Sequence, residues 1–500
     1  MTNTLEQAVF ATITPLTPSL SLTQQALAKN IALQARAVDI EIRAQKIREY
    51  RQYYDGDHPA NLTEEMRNLL RTARHGAEFT TNFCKRIVHA RSDRLIVSRI
   101  ETDTEAGNQW AQQFMEDMHF AAVQSKVHKC AIRDGETFVM VSFDNATRRA
   151  KITAELSYDG TNGVIALYKS QDLPVMDAAV KVWHEINQET QPVDVTRINV
   201  YFPNRIEKYR TNPENGLLEP YREPGDPGWP IWWTEDLTPT GAPLGIPFVH
   251  FMNLEEKNQG LSVLEDAIPL QDAANRVLHS LVYAGELTAF QIYVAFGFET
   301  DGEVTPGMWL EVPATSKDEN VDAKVLSAGD LTQLITLWDK LDQKIHDVTN
   351  TPRPDSVSTD ASGEARKEVE TYLLGELRNF QNAAGAKWEQ AVALAHKLEQ
   401  VFGVQEVPEI KRFYCKWQDL QVRNDDKVVA NAMLVNPIVG TRETLRIIAP
   451  VFDYDEQKIE QIMAEKQAEQ EQQLARIVAT MPETSGKFSK NPQGPNQEEQ

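Results

Sequence analysis

Between residues 25 and 54, the apolar positions Ile31, Leu33, Ala37, Ile40, Ile42 and Ile47 recur at helical spacing. The pattern predicts a helix that stops at Tyr53-Tyr54-Asp55-Gly56, where the glycine supplies the break. Helices are expected again over 62–70 and 79–95, the second carrying Lys85, Arg86, Arg91 and Arg94. From 135 to 209 the rhythm shortens to alternating runs such as Thr137-Phe138-Val139-Met140-Val141 and Arg197-Ile198-Asn199-Val200-Tyr201-Phe202. With Asp-Gly and Asn-Gly turns between them, these runs predict an antiparallel sheet. Residues 212–247, rich in Pro and Gly and holding Trp229, Trp232 and Trp233, predict a long irregular excursion anchored by its aromatics.

The second half is mostly helical. A helix is expected over 262–284, then two apolar runs (290–298 and 308–312) parted by Gly297, Gly302 and Gly307. A second helix follows, with Leu331, Leu334, Ile335, Trp338, Leu341, Ile345 and Val348 on an i, i+3, i+4, i+7 stripe. It must stop at Asn350-Thr351-Pro352-Arg353-Pro354, because proline and its predecessor resist helix. A polar loop leads to a long helix over 363–401, a strand over 412–417 and two or three helices over 425–478. The plan is helix, β-insert, helix, then a proline-bounded loop. The first ~25 residues predict an extended or poorly ordered arm, and the last ~20 a disordered tail.

Composition narrows the function. Apolar usage of 41% and charged usage of 25% over 500 residues are those of a globular chain with a sizeable core. Its 51 Lys and Arg against 73 Asp and Glu leave a formal net charge of −22, which opposes tight wrapping of nucleic acid. Three widely spaced cysteines, Cys84, Cys130 and Cys415, make no disulfide framework. With no basic region ahead of an apolar run, no signal peptide is expected, and the longest apolar stretch, 287–298, is too short for a bilayer. A soluble, unexported protein is the expectation.

Motifs for chemistry are missing. The one Gly-Lys ahead of a hydroxyl-rich stretch, at Ser485-Gly486-Lys487, has Met481 where a phosphate loop needs its first glycine. His128 with Cys130, and Cys84 with His89, have no second pair at zinc spacing and read as core residues. The acidic neighbours Asp55/Asp57, Asp425/Asp426 and Asp453/Asp455 read as a turn and two helix starts. A two-metal nuclease built on the last two pairs is the enzymatic alternative, tested by metal-dependent DNA cleavage. No catalytic residue, metal or cofactor is expected.

The order of elements resembles the portal proteins of tailed bacteriophages, of the long-tailed type. The likeness runs through Arg48-Glu49-Tyr50-Arg51-Gln52-Tyr53-Tyr54-Asp55-Gly56-Asp57-His58, Asn82-Phe83-Cys84-Lys85-Arg86-Ile87-Val88 and Gly135-Glu136-Thr137-Phe138-Val139. It continues in Ile246-Pro247-Phe248-Val249-His250-Phe251 with Ser262, Leu264-Glu265-Asp266 and Gln271-Asp272-Ala273. It closes in Thr349 to Pro354 followed by Ala361-Ser362-Gly363-Glu364-Ala365.

The resemblance implies an α+β, mainly helical subunit with wing, stem, clip and crown, assembling as a ring of about twelve copies. By carry-over, 1–24 is an arm, 25–260 the wing, 261–289 the first stem helix and 290–329 the clip. The second stem helix is 330–349, the tunnel loop 350–361, the long wing helix 362–402, the crown 403–480 and the tail 481–500. The implied function is a channel at one capsid vertex through which double-stranded DNA is packaged and ejected. Implied partners are the terminase motor, head–tail adaptors, and the major capsid and scaffold proteins; the implied location is the virion, after assembly in the host cytoplasm. Another virion structural protein, such as an adaptor, is the nearer alternative.

Candidate channel residues in the loop are Arg353, Asp355, Ser356, Ser358, Thr359 and Asp360, and in the stem Lys340 and Lys344. Lys340 and Lys344 have an equal reading as partners of Asp339, Asp342 or Asp347 on a solvated face. The clip docking region holds Phe290, Phe296, Phe298, Met308, Trp309 and Lys317.

Overall fold

The computed structural model describes residues 37–57, 80–144, 146–170, 173–187, 193–212, 218–226, 231–232, 244–256, 258–289, 292–296, 309–312, 323–326, 331–353, 363–403, 407–420, 425–452, 454 and 456–480. The expected arm, tail and 62–70 helix lie outside them. The chain forms two compact units, Met1–Leu420 and Gln421–Gln500.

In the first unit, helix α1 (Ala37–Asp55) stops at Gly56, whose φ of +84° suits glycine alone without strain. Helix α2 (Phe83–Ser92) is shorter than the 79–95 expected from spacing, because Asn82 caps it: its side-chain oxygen accepts the Lys85 N–H at 2.9 Å. Residues 96–134 carry no assignment from spacing; they form β1 (Val97–Thr102), α3 (Glu105–Asp117) and α4 (Phe120–Asp134).

The expected sheet region splits in two. Strands β2 (Glu136–Asp144) and β3 (Arg149–Leu156) pair antiparallel. Strands β4 (Gly163–Ser170), β5 (Leu173–Asn187), β6 (Val193–Tyr201), β7 (Arg205–Thr211) and β8 (Leu218–Pro220) form a separate antiparallel sheet in that order. The expected Asp-Gly/Asn-Gly turn opens β4, and at Gly163 (φ +128°) a Cβ would stand 2.6 Å from the Ser157 backbone. The excursion expected over 212–247 is in part sheet: β8 and the short β9 (Ile231–Trp232) both pair with β7. Trp229 and Trp233 lie outside the described residues.

Strand β10 (Phe248–Met252) returns to the other edge of β2. Helix α5 (Ile268–Ala289) begins later than the 261/262 expected, since 263–267 are turns. Three short strands follow, β11 (Ile292–Phe296), β12 (Trp309–Val312) and β13 (Ala323–Leu326), with β11 central, parallel to β12 and antiparallel to β13. The third has no warning in the apolar runs. Helix α6 (Thr332–Val348) and helix α7 (Gly363–Phe402) match their expected spans closely.

Strand β14 (Phe413–Trp417) pairs antiparallel with β1 and so belongs to the first unit. The first compact unit therefore runs on through β14 to Leu420. The second unit holds α8 (Asp425–Val439), α9 (Thr441–Phe452) and α10 (Glu456–Thr480).

The main core lies where α4 and α7 pack on the β10-β2-β3 sheet. Trp388 of α7 is fully buried, its ring 4.7 Å from Phe120 and 4.8 Å from Phe251 by centroid. Its indole N–H donates to His128 Nε2 at 2.9 Å, while His128 Nδ1–H donates to the Leu95 carbonyl at 2.8 Å. Both ring nitrogens are thus committed to a neutral imidazole, and burial pulls His128 down to about 4.

The sign follows from linkage. Between the ordinary histidine value near 6.5 and about 4, the unfolded chain takes a proton that the folded core refuses. This contribution is fully present above about pH 6.5 and is lost as pH falls toward 4. Burial shifts His346 and His396 in the same direction. The thermal midpoint of the first unit should therefore fall steadily from about pH 6.5 to 5, ahead of carboxylate titration. A midpoint flat across that window in a circular-dichroism melt would contradict this account.

Candidate functional site

The site is built where α2, the end of α6 and the start of α7 meet. Helix α5 is rooted there first. Buried Gln271 accepts the Phe83 N–H at 2.8 Å and donates to the Thr81 carbonyl at 2.7 Å; Asn275 accepts the Thr81 N–H at 3.0 Å. Tyr53 donates its hydroxyl to Asp272 at 2.7 Å. Buried amides satisfied this way fix a helix in one register, because any slip leaves polar groups unpaired. Helix α6 then packs against α5, with Phe83 of α2 against Trp338 and edge-on to His346.

At its end α6 unwinds in a defined way. Asn350 takes φ +49°, the Thr351 N–H bonds back to the His346 carbonyl at 3.0 Å, and His346 Nδ1–H donates to the Thr351 carbonyl at 2.9 Å. Burial pulls His346 below its ordinary value; the Thr351 carbonyl and Asp342 oppose the shift, and Arg86 and Arg353 add to it. Asp342, one turn back, sits 3.5 Å from His346 Nε2 and 2.9 Å from the Arg353 guanidinium.

Arg91 holds this turn from α2. Its buried guanidinium donates to the carbonyls of Thr349 and Ile87, to the Thr351 hydroxyl at 3.1 Å and to Glu376 of α7 at 2.9 Å. Burial pulls Arg91 below its ordinary value and Glu376 opposes that. The other Glu376 oxygen accepts the Asn350 side chain at 2.7 Å. Arg94 binds Glu370 of α7 through two bonds of 3.1 and 3.0 Å, and Arg86 reaches the Pro352 carbonyl at 3.4 Å. Arg86 and Arg91 of one short helix, with Arg94 just past its end, thus tie down the outgoing chain up to Pro352 and the returning helix from Glu370.

The residues expected to matter are dispersed. Arg353 is the one loop candidate among the described residues, and it is held by Asp342; Asp355, Ser356, Ser358, Thr359 and Asp360 lie outside them. Lys340 and Lys344 are exposed one turn apart on α6, and among the described residues neither forms the ion pairs considered for them. Phe296 and Trp309 fall in the central strand β11 and its neighbour β12, while Phe290, Phe298, Met308 and Lys317 lie outside the described residues. Arg91, Glu376 and Asp342 carry the junction and were not singled out by spacing; the basic run of α2 was the available signal.

Among the described residues no group of three or more metal-ligating side chains stands together, and no helix is long and apolar enough to cross a membrane. His128 and Cys130 are core residues, as is Cys84.

The sequence pattern of the family described as phage portal protein, SPP1 Gp6-like, matches residues 39–472. No curated protein sequence matches the chain. Among solved structures, the neck of an empty GTA particle computed with C6 symmetry is similar at 12% identity and a TM-score of 0.40. That match covers 77% of this chain and 94% of the other. The neck of a native GTA particle computed with C12 symmetry is similar at 13% identity and a TM-score of 0.37, covering 77% and 93%.

Proposed function

The chain belongs to the phage portal proteins of the SPP1 Gp6-like family, and on that premise we propose that about twelve copies close into a ring around a channel for double-stranded DNA. As a member of that family it is a structural component of the head–tail connection of a phage-like particle. The observation that carries the reading is the family match over 39–472, which takes in every element of the junction.

In this reading α5 and α6 are the stem, 290–329 the clip and 350–361 the tunnel loop. The wing is 25–260 with α7, and the crown follows it. The three-stranded sheet β12-β11-β13 is too small to stand alone, and strands of adjacent copies would cover its edges. Exposed Ile335, Leu337 and Val348 on α6 suit a helix that packs on its neighbour's stem. The clip docks the terminase motor during packaging and head–tail adaptors afterwards, with capsid and scaffold proteins around the ring.

Conduction sets the charge. A strong grip on phosphate would stall the load, and a chain of net charge −22 repels it. Exposed Lys340 and Lys344 then make brief, sequence-blind contacts. Arg353, seated on Asp342, exchanges that partner for phosphate when the loop shifts.

Negative-stain images with light-scattering mass should show rings whose hole admits duplex DNA; a uniform monomer would count against the ring. The double variant Lys340→Glu/Lys344→Glu and the single Arg353→Glu should form rings of normal mass but package less DNA per particle. Rings that package normally would remove these cations from the mechanism.

A further inference from the structure

Between helix α1 and strands β2, β4 and β10 of the first unit lies a cavity of about 110 Å³. Its walls are apolar at Ile40, Ile47, Val164 and Leu167, and Arg43, Glu136 and His250 line it together. Glu136 of β2 and His250 of β10 are buried, and the Arg43 side chain is 15% exposed. The His250 ring is fixed in place. It stacks on Phe138, its neighbour across the strands, at 4.4 Å between centroids, and its Nδ1 lies 2.9 Å from the Tyr168 hydroxyl.

The three polar groups leave one another incomplete. Arg43 Nη2 donates to the Gly260 carbonyl at 2.5 Å and lies 3.4 Å from Glu136 Oε2. His250 Nε2 lies 3.3 Å from the same oxygen, out of line for a hydrogen bond. Among the described residues Arg43 Nε and His250 Nε2, both buried atoms, have no hydrogen-bond partner. Where room and polar partners coincide, a bound oxygen completes such groups.

The charges say which kind of oxygen. In the neutral imidazole the proton on Nε2 faces Glu136, and Nδ1 accepts the Tyr168 hydroxyl. Burial alone would raise Glu136, but His250 and Arg43 hold it below the ordinary carboxylate value. Arg43 and Glu136 then cancel, so a bound ion would add an unbalanced buried charge at high cost. Two N–H donors and one carboxylate call for a neutral group that accepts twice and donates once, which is a hydroxyl. A water needs about 10–15 Å³ and a cavity of about 150 Å³ takes benzene, so this one suits several waters or one small polyol.

We propose that this cavity binds a neutral hydroxyl, from water or a small polyol, which accepts from Arg43 Nε and His250 Nε2 and donates to Glu136. The bound group joins α1, β2 and β10 at a point where their own side chains leave donors unmet. The site is a property of the single chain, independent of how copies assemble.

The test uses crystals of the full chain grown near neutral pH without polyol or small acid, then soaked separately with ethylene glycol, formate and methylammonium. Before soaking, density should lie within about 3 Å of Arg43 Nε, His250 Nε2 and Glu136. Growth of that density into the diol would support the site and assign it to polyols. Density that stays the size of single oxygens would support it and assign it to water. Formate and methylammonium should leave it unchanged. In Glu136→Gln the charge of Arg43 is unbalanced, so formate should enter at a concentration at least about tenfold lower than in the unaltered chain. The soaks of the unaltered chain decide the matter even if that variant does not fold. A cavity without density, its Arg43 and His250 both bonded directly to Glu136, would overturn the inference. So would formate that occupies the unaltered chain as readily as Glu136→Gln.

Discussion

Replacing Arg91 with methionine should lower the stability of the first unit by about 3 kcal/mol, within the range for breaking a buried charged hydrogen-bond network. Methionine fills much of the space, so the loss is specific to the guanidinium. It takes the charged donor from the carbonyl of Thr349 and from the Thr351 hydroxyl, leaving them only their mutual threonine bonds of 3.3 and 3.0 Å, and removes the tie from α2 to Glu376. Glu376 is itself partly open to solvent and keeps Asn350, so Glu376→Gln should cost less, about 1 kcal/mol. Urea unfolding of both variants gives the comparison. Equal losses would mean that the carboxylate rather than the carbonyls sets the strength of the junction. Arg91 also pins Thr349 and Thr351, so Arg91→Met should speed proteolysis within 349–353 at concentrations of denaturant that leave the rest folded.

Trp388→Ala should cost more, about 3–5 kcal/mol, the range for deleting a fully buried aromatic ring. The cavity would open between Phe120 and Phe251, on the face where α7 meets the central sheet. Trp388→Phe separates packing from polarity: it keeps most of the ring and removes the N–H that His128 Nε2 accepts. Its cost should be about 1–2 kcal/mol. It should also soften the acid sensitivity, because a proton on Nε2 would no longer face another donor. A Trp388→Phe variant with an unchanged pH profile would show that burial alone holds His128 neutral.

Much of the second half of the chain was legible as local pattern. The stripe from Leu334 to Ile345 and the stop at Pro352 define α6 because both signals act within a few residues. The same holds for α7 and for the runs that became β2, β4 and β6. What spacing could not show is pairing at a distance. Strand β1 is buried only at Val97 and Ile100, three residues apart, so no alternation announces it and it is a strand only through its pairing with β14. The start of α5 was misplaced because Ser262 to Ala267 are apolar enough to pass for its first turn, although they turn instead. Arg91 was visible as one of several basic residues on α2. Its burial, and its partner Glu376 at a sequence distance of 285, are tertiary facts. Arg353 shows the converse: a loop cation was readable, but the carboxylate of Asp342 that holds it was not assigned to it.

The pairing of β1 with β14 has a consequence for how the protein is made. Val97 meets Trp417, so the two-stranded sheet cannot close until roughly 320 further residues have left the ribosome. At about 5–20 residues per second that is a wait of roughly 15–60 s. Trp388 follows His128 by 260 residues, which keeps His128, Phe120 and Phe251 without their central neighbour until more than three quarters of the chain has been made. The nascent chain therefore carries an open apolar sheet face from the completion of β10 until Trp388 emerges, and its yield depends on whatever shields that face in the interval.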